Sequence, residues 1–127
     1  MQIKTILIID DDRDFNDFIK ISLEKRLQVL TASNGKDGIS IAKSQKPNLI
    51  LLDLAMPQLD GLAVYQTLKS DSTSSSIPII FLTAMLGMER ILKSKTNQNV
   101  EIITKHYNTT KLETQIYSAF NRSLAKI

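Results

Sequence analysis

"ILIIDDDRDF", Ile6 to Phe15, drives four apolar residues straight into three adjacent carboxylates. An unbroken apolar run, without the alternation of a half-exposed strand, reads as a strand covered on both faces, and such strands belong to parallel sheets. Adjacent like charges repel, and burying even one carboxylate alone is costly. Asp10, Asp11 and Asp12 at the end of a core strand therefore require a positive group nearby.

Working outward, the same texture recurs. Lys4 to Ile9, Gln28 to Ala32, Asn48 to Asp53, Pro78 to Thr83 and Val100 to Thr104 read as five strands, several of them continuously apolar. Between them lie amphipathic segments. Phe15, Phe18, Ile19, Leu23 and Leu27 form one stripe at helical spacing, and Leu112, Ile116, Phe120 and Leu124 form another. Asn34 is placed to cap a helix that stops before Pro47, Asp60 to cap one with Leu59 and Val64 as a hydrophobic staple, and Asn108 or Thr110 to cap the last. The fourth helix, between Leu86 and about Lys95, is expected to be short and mobile, with only asparagine available as a left-handed cap. "DSTSSS", Asp71 to Ser76, reads as a surface loop with a disordered tip. Strands and helices in alternation make a doubly wound α/β domain with a five-stranded parallel sheet.

Composition agrees with this reading. The 127 residues, 43% hydrophobic and 23% charged, make one globular domain, 1–127, with no cysteine for disulfides. Apolar runs fall short of the roughly 20 residues a membrane span needs, and the first residues lack a signal-peptide core, so the expectation is a cytoplasmic protein with no membrane role. The net charge of +3 is uneven: residues 1–60 carry eight basic and nine acidic side chains, residues 61–127 eight and four. No basic run or aromatic interleaving marks a nucleic-acid surface, so no direct nucleic-acid contact is expected.

In doubly wound folds ligands bind beyond the C-terminal ends of the strands. Asp10 and Asp11 end strand one, Asp53 strand three, Thr83 strand four and Lys105 strand five, so every polar candidate falls on one rim. Each alone is commonplace, a cap, a turn former or a surface charge. Together, three carboxylates suit a hard cation, Mg²⁺ above all, while a hydroxyl and an ammonium suit a tetrahedral anion. That pairing fits phosphoryl transfer, with one carboxylate as nucleophile.

The motifs "IIDDD", "LLDLAMPQLDG", "PIIFLTA" and "IITK" closely resemble those of receiver domains of the two-component response-regulator family, chemotaxis regulators among them. Asp53, Met56, Pro57, Asp60 and Gly61 share the family spacing, as do the 30 residues from Asp53 to Thr83 and the 22 from Thr83 to Lys105. The resemblance implies a flavodoxin-like (βα)5 fold with strand order 2-1-3-4-5. It also implies that Asp53 accepts phosphate from a sensor histidine kinase or phosphotransfer protein. Asp11, Asp53 and the carbonyl of Ala55 would bind Mg²⁺, and Asp10 would hold it through water. Thr83 and Lys105 would contact phosphoryl oxygens, with Ala84 small enough to admit the phosphate and Asp12 capping the first helix. A downstream protein would dock on the face of the fourth helix, fifth strand and fifth helix, and the chain would be a monomer or weak homodimer. Such a domain is a signalling device that is phosphorylated and dephosphorylated rather than a classical enzyme.

Three positions depart from the family pattern. His106 follows Lys105 where proline is usual, Ile102 stands where an aromatic switch residue is common, and the glycine before strand five is missing. A cis bond before a residue other than proline costs about 3–4 kcal/mol, so either packing offsets that cost or the loop is reshaped, with Lys105 misplaced and phosphate held less well. Thr83 and Ile102 are the switch candidates. Ala55 and Met85 cannot orient an attacking water, so slow self-dephosphorylation is expected. The main alternative is a receiver-like interaction module that is never phosphorylated. A flavodoxin-type cofactor binder would want a Ser/Thr/Gly-rich phosphate loop where this chain has carboxylates, and an aspartate-nucleophile hydrolase would place its nucleophile after strand one.

Overall fold

The structure, a computed structural model, describes residues 3–54, 61–84, 87–97, 100–105 and 109–125. Five strands and five helices alternate along the chain: β1 (Thr5–Ile9), α1 (Arg13–Leu23), β2 (Gln28–Ala32), α2 (Gly35–Gln45), β3 (Leu49–Asp53), α3 (Gly61–Ser70), β4 (Ile79–Thr83), α4 (Glu89–Thr96), β5 (Glu101–Thr104) and α5 (Thr109–Ala125). All strand pairs are parallel, in the order β2-β1-β3-β4-β5. Each expected strand is present to within one residue of its expected bounds.

The unbroken apolar runs have the anticipated cause. Every residue of β3 and of β4 is buried, and successive side chains point into opposite layers. Ile6 and Ile8, Leu49 and Leu51, and Ile80 and Leu82 pack with α1 and α5. Leu7 and Ile9, Ile50 and Leu52, and Ile79 and Phe81 pack with α2, α3 and α4. In α1 the stripe buries Phe15, Ile19 and Leu23, while Leu27 lies beyond the helix, buried in the turn leading to β2.

Helix ends follow local chemistry. Asn34 Oδ1 accepts the Asp37 N–H at 2.8 Å to start α2, and Lys46, left-handed with φ 46°, ends it just before Pro47. The fourth helix spans eight residues, and Asn97 closes it in the left-handed region with φ 57°. Its only buried residue is Leu92. Thr110 does not cap α5: the helix has begun by Thr109, and the Thr110 carbonyl instead accepts the Thr114 hydroxyl at 2.8 Å. Asn108, the Leu59–Asp60 staple and cap, and the Leu124 side chain lie outside the described residues.

The serine-rich stretch lies mostly at the surface, as expected of a surface loop, but it is compact. Ser74 is fully buried, with its hydroxyl donating to the Leu68 carbonyl at 2.7 Å. Asp71 Oδ1 accepts the Thr73 hydroxyl at 2.6 Å and the Thr73 N–H at 2.9 Å, and its other oxygen meets Lys43 at 2.9 Å. These donors hold the Asp71 carboxyl far below the usual carboxylate range, the Thr73 hydroxyl contributing most. Lys69 donates to the carbonyls of Ser75 and Ile77, at 3.2 and 2.9 Å. Serine and aspartate mark a turn in both cases; satisfied hydrogen bonds make this one compact.

Candidate functional site

Parallel strands of similar length end together, so residues following β1, β3, β4 and β5 share one rim. Asp10 continues past β1 with its N–H bonded to the Ala32 carbonyl at 3.0 Å and is fully buried. Its Oδ1 accepts the Asp12 N–H at 2.9 Å, which fixes the carboxylate as the chain turns into α1. Asp12 caps that helix, accepting the Phe15 N–H at 3.1 Å. Asp11, released from both duties, is exposed. Asp53 ends β3 with 6% exposure.

Carboxylate oxygens of Asp10, Asp11 and Asp53 lie within 4.8 Å of one another. Three such oxygens, two of them on buried residues, form a hard-oxygen donor set of the kind Mg²⁺ takes while keeping several waters. Asp12, spent on the helix cap, is not one of them. The Ala55 carbonyl, also expected to bind the metal, lies outside the described residues, as do Met85 and His106 and with them the Lys105–His106 bond.

The counter-charge required by the acidic run is Lys105. Its Nζ lies 2.8 Å from Asp10 Oδ2, 3.8 Å from Asp12 Oδ2 and 4.3 Å from the centroid of the Phe15 ring. Its backbone N–H donates to the Thr83 carbonyl at 2.6 Å, which seats the end of β5 against the end of β4. Burial works against the charged ammonium, but the hydrogen bond to Asp10 and the charges of Asp10, Asp53 and Asp12 outweigh it, so the Lys105 pKa is raised. The lysine thus faces the whole cleft, and its direct partner is Asp10.

A pH dependence follows with a definite sign. A lysine whose pKa is higher folded than unfolded stabilises the fold fully below the unfolded value, near 10.5, and the contribution is lost as pH rises through the raised folded value. Urea midpoints should therefore fall above pH 10.5 more steeply in the native chain than in Lys105→Met.

Two supporting residues had no signal of their own in the sequence. Asn16, 3% exposed on α1, donates Nδ2 to the Asp10 carbonyl at 2.8 Å and so holds the Asp10–Asp11 peptide. Phe15, counted simply as core, presents its ring to Lys105. Thr83, 4% exposed, stands at the rim beside Thr104. Ile102 is half-buried, packs on the α2, α3 and α4 side of the sheet and pairs in register with Phe81. Gly61 begins α3 so close to β3 that a Cβ there would run into the Asp53 carbonyl oxygen and lie 2.7 Å from Leu54 Cα.

Residues 6–117 match the family model of the response regulator receiver domain. The chain belongs to the response-regulator receiver family. This receiver domain is 36% identical over 127 residues to the probable transcriptional regulator ycf27 of Porphyridium aerugineum, a match covering 96% of this chain and 50% of that protein. The chain spans about half the length of the curated relatives it matches first. Its fold superposes on a CheY-like receiver domain protein from Methanospirillum hungatei with a TM-score of 0.83 at 23% identity, covering 99% and 100% of the two chains. The phosphorylated cyanobacterial phytochrome response regulator RcpA is similar at a TM-score of 0.76 and 25% identity, covering 99% and 97%. No helix among the described residues is long and apolar enough to cross a membrane.

Proposed function

We propose that this receiver domain is a phospho-accepting switch in which Asp53 carries the phosphoryl group. The supporting observation is the meeting of the Asp10, Asp11 and Asp53 oxygens within 4.8 Å, beside an ammonium already seated on Asp10. An Asp53 carboxylate oxygen attacks phosphorus, a P–O bond forms, and the P–N bond of a phosphohistidine on a sensor kinase or phosphotransfer protein breaks. The departing imidazole nitrogen keeps the electron pair and takes up a proton. A bound Mg²⁺ would supply neutralisation of the phosphoryl oxygens, held by Asp11, Asp53 and the Ala55 carbonyl, with Asp10 holding it through water.

The chain's own groups do the rest. Lys105 and the Thr83 hydroxyl stabilise phosphoryl oxygens, and exposed Ala84 leaves room for the group to enter. Because Asp53 is itself modified, the product is a signalling state rather than a released compound. That the similar RcpA structure is of a phosphorylated protein supports the reading. Output to a downstream protein would pass through α4, β5 and α5, where Ile91 is 47% exposed. The setting is cytoplasmic, and the domain is a monomer or weak homodimer.

Acetyl phosphate with Mg²⁺ tests the proposal by intact-mass measurement. The native chain should gain one phosphoryl group and Asp53→Asn none. An unlabelled native chain would return the reading to an interaction module that works without phosphate, and labelling of Asp53→Asn would move the acceptor elsewhere.

A further inference from the structure

Lys105 carries its charge on a flexible four-carbon stem, which fixes an ammonium poorly unless something besides its ion partner holds it. Three elements converge on it. β4 takes its backbone N–H through the Thr83 carbonyl, the end of β1 takes its ammonium through Asp10, and the first turn of α1 meets it with Asp12 and the face of Phe15. The Phe15 contact, 4.3 Å from Nζ to ring centroid, is well within cation–π range. The lysine side chain is 14% exposed and Phe15 1%, so the contact is largely shielded from water. We infer that Phe15 is a positioning residue for the phosphoacceptor chemistry: its ring face holds the Lys105 ammonium in the acidic cleft.

This rests on the phosphoacceptor reading for its functional consequence, though not for the contact itself. Phe15 is a core residue, but an aromatic ring offers the site more than packing. Leucine or methionine would also fill an apolar site between α1 and the sheet, but neither has a negative face to offer a cation. The ring serves both purposes, tilted 37° to Phe18 at 6.4 Å on one side and covered by Lys105 on another. Asp12 ties the two together, since the carboxylate that caps α1 and accepts the Phe15 N–H is also the more distant of the lysine's two ion-pair partners, Asp10 and Asp12. α1 therefore delivers the ring and the second charge as one rigid unit. The chain has no proline after Lys105 to constrain the backbone there, which leaves α1 the more important anchor.

Two measurements test the inference. In the native protein, NMR should place the Lys105 ε-methylene protons upfield of the position of a solvated lysine, because the ammonium they adjoin lies 4.3 Å from the ring centroid; a solvated-lysine position would overturn it. In Phe15→Leu and Phe15→Met that shift should vanish, and the rate of labelling by acetyl phosphate should fall about 5- to 30-fold. Ile19→Val, a core change in α1, should leave both within about twofold of native. Native labelling rates in the Phe15 variants, or an equal loss in Ile19→Val, would reduce Phe15 to a core residue. If the native chain is not labelled at all, the phosphoacceptor reading fails, and the lysine resonances still decide whether Phe15 holds Lys105. If neither Phe15 variant folds, the native resonances decide alone.

Discussion

Lys105→Ala is expected to lower the unfolding free energy by about 3 kcal/mol at neutral pH without divalent metal, because it strips the ion partner from a fully buried carboxylate. The low end of the range for broken buried pairs applies, since the lysine side chain keeps 14% of its exposure. Asp10 would then face Asp11 and Asp53, whose oxygens lie within 4.8 Å, with no ammonium on Asp10. Adding Mg²⁺ should restore much of the loss. Any ligand that binds only the folded state stabilises it by mass action, and in the variant no lysine competes for Asp10. The gain with Mg²⁺ should therefore be larger for Lys105→Ala than for the native chain. Urea titrations with and without 10 mM Mg²⁺, roughly a saturating amount for a weak site, provide the check. Equal gains in the two proteins would mean that lysine and metal do not compete for Asp10, and no gain in either would mean that the acidic trio is not the metal site.

Gly61→Ala should be comparably severe, about 3 kcal/mol, at the upper end of overpacking costs. The added methyl would strike backbone, the carbonyl of Asp53 and Leu54 Cα, neither of which can rotate aside. Gly61 also donates its N–H to the Leu54 carbonyl at 3.1 Å, which ties the start of α3 to the end of β3. Relief of the clash must therefore move either the helix or the residue proposed to take phosphate. Thermal unfolding should show the loss, and labelling by acetyl phosphate should fall further than the fraction unfolded explains. A variant of native stability and native labelling would show that α3 can recede freely.

How much of this was legible in the sequence depends on how local each cause is. Strand positions were readable because β3 and β4 are buried on both faces, so composition alone carried the signal. The rim was readable because the fold rule needs only strand ends, and Asp10, Asp11 and Asp53 do converge. The Asn34 and Asp12 caps are local hydrogen bonds spanning three residues. Contacts between distant segments were not readable. Lys105 and Asp10 are 95 residues apart, and nothing in one chain says that the lysine sits on Asp10 and Phe15. The Asp71–Ser76 turn misled for a related reason: a polar composition records donors and acceptors but not whether they are mutually satisfied, as Ser74 and Leu68 are.

The attachment of α4 has a consequence for how a partner could act. Leu92 is its only buried residue, 2% exposed, while Met88 adds a partial contact. Covering one leucine contributes about 1.5–3 kcal/mol, so this helix has few buried apolar contacts to give up in peeling from the sheet. A second protein that prefers the peeled form by a few kilocalories would trap it, leaving the acidic rim, carried by β1 and β3, in place.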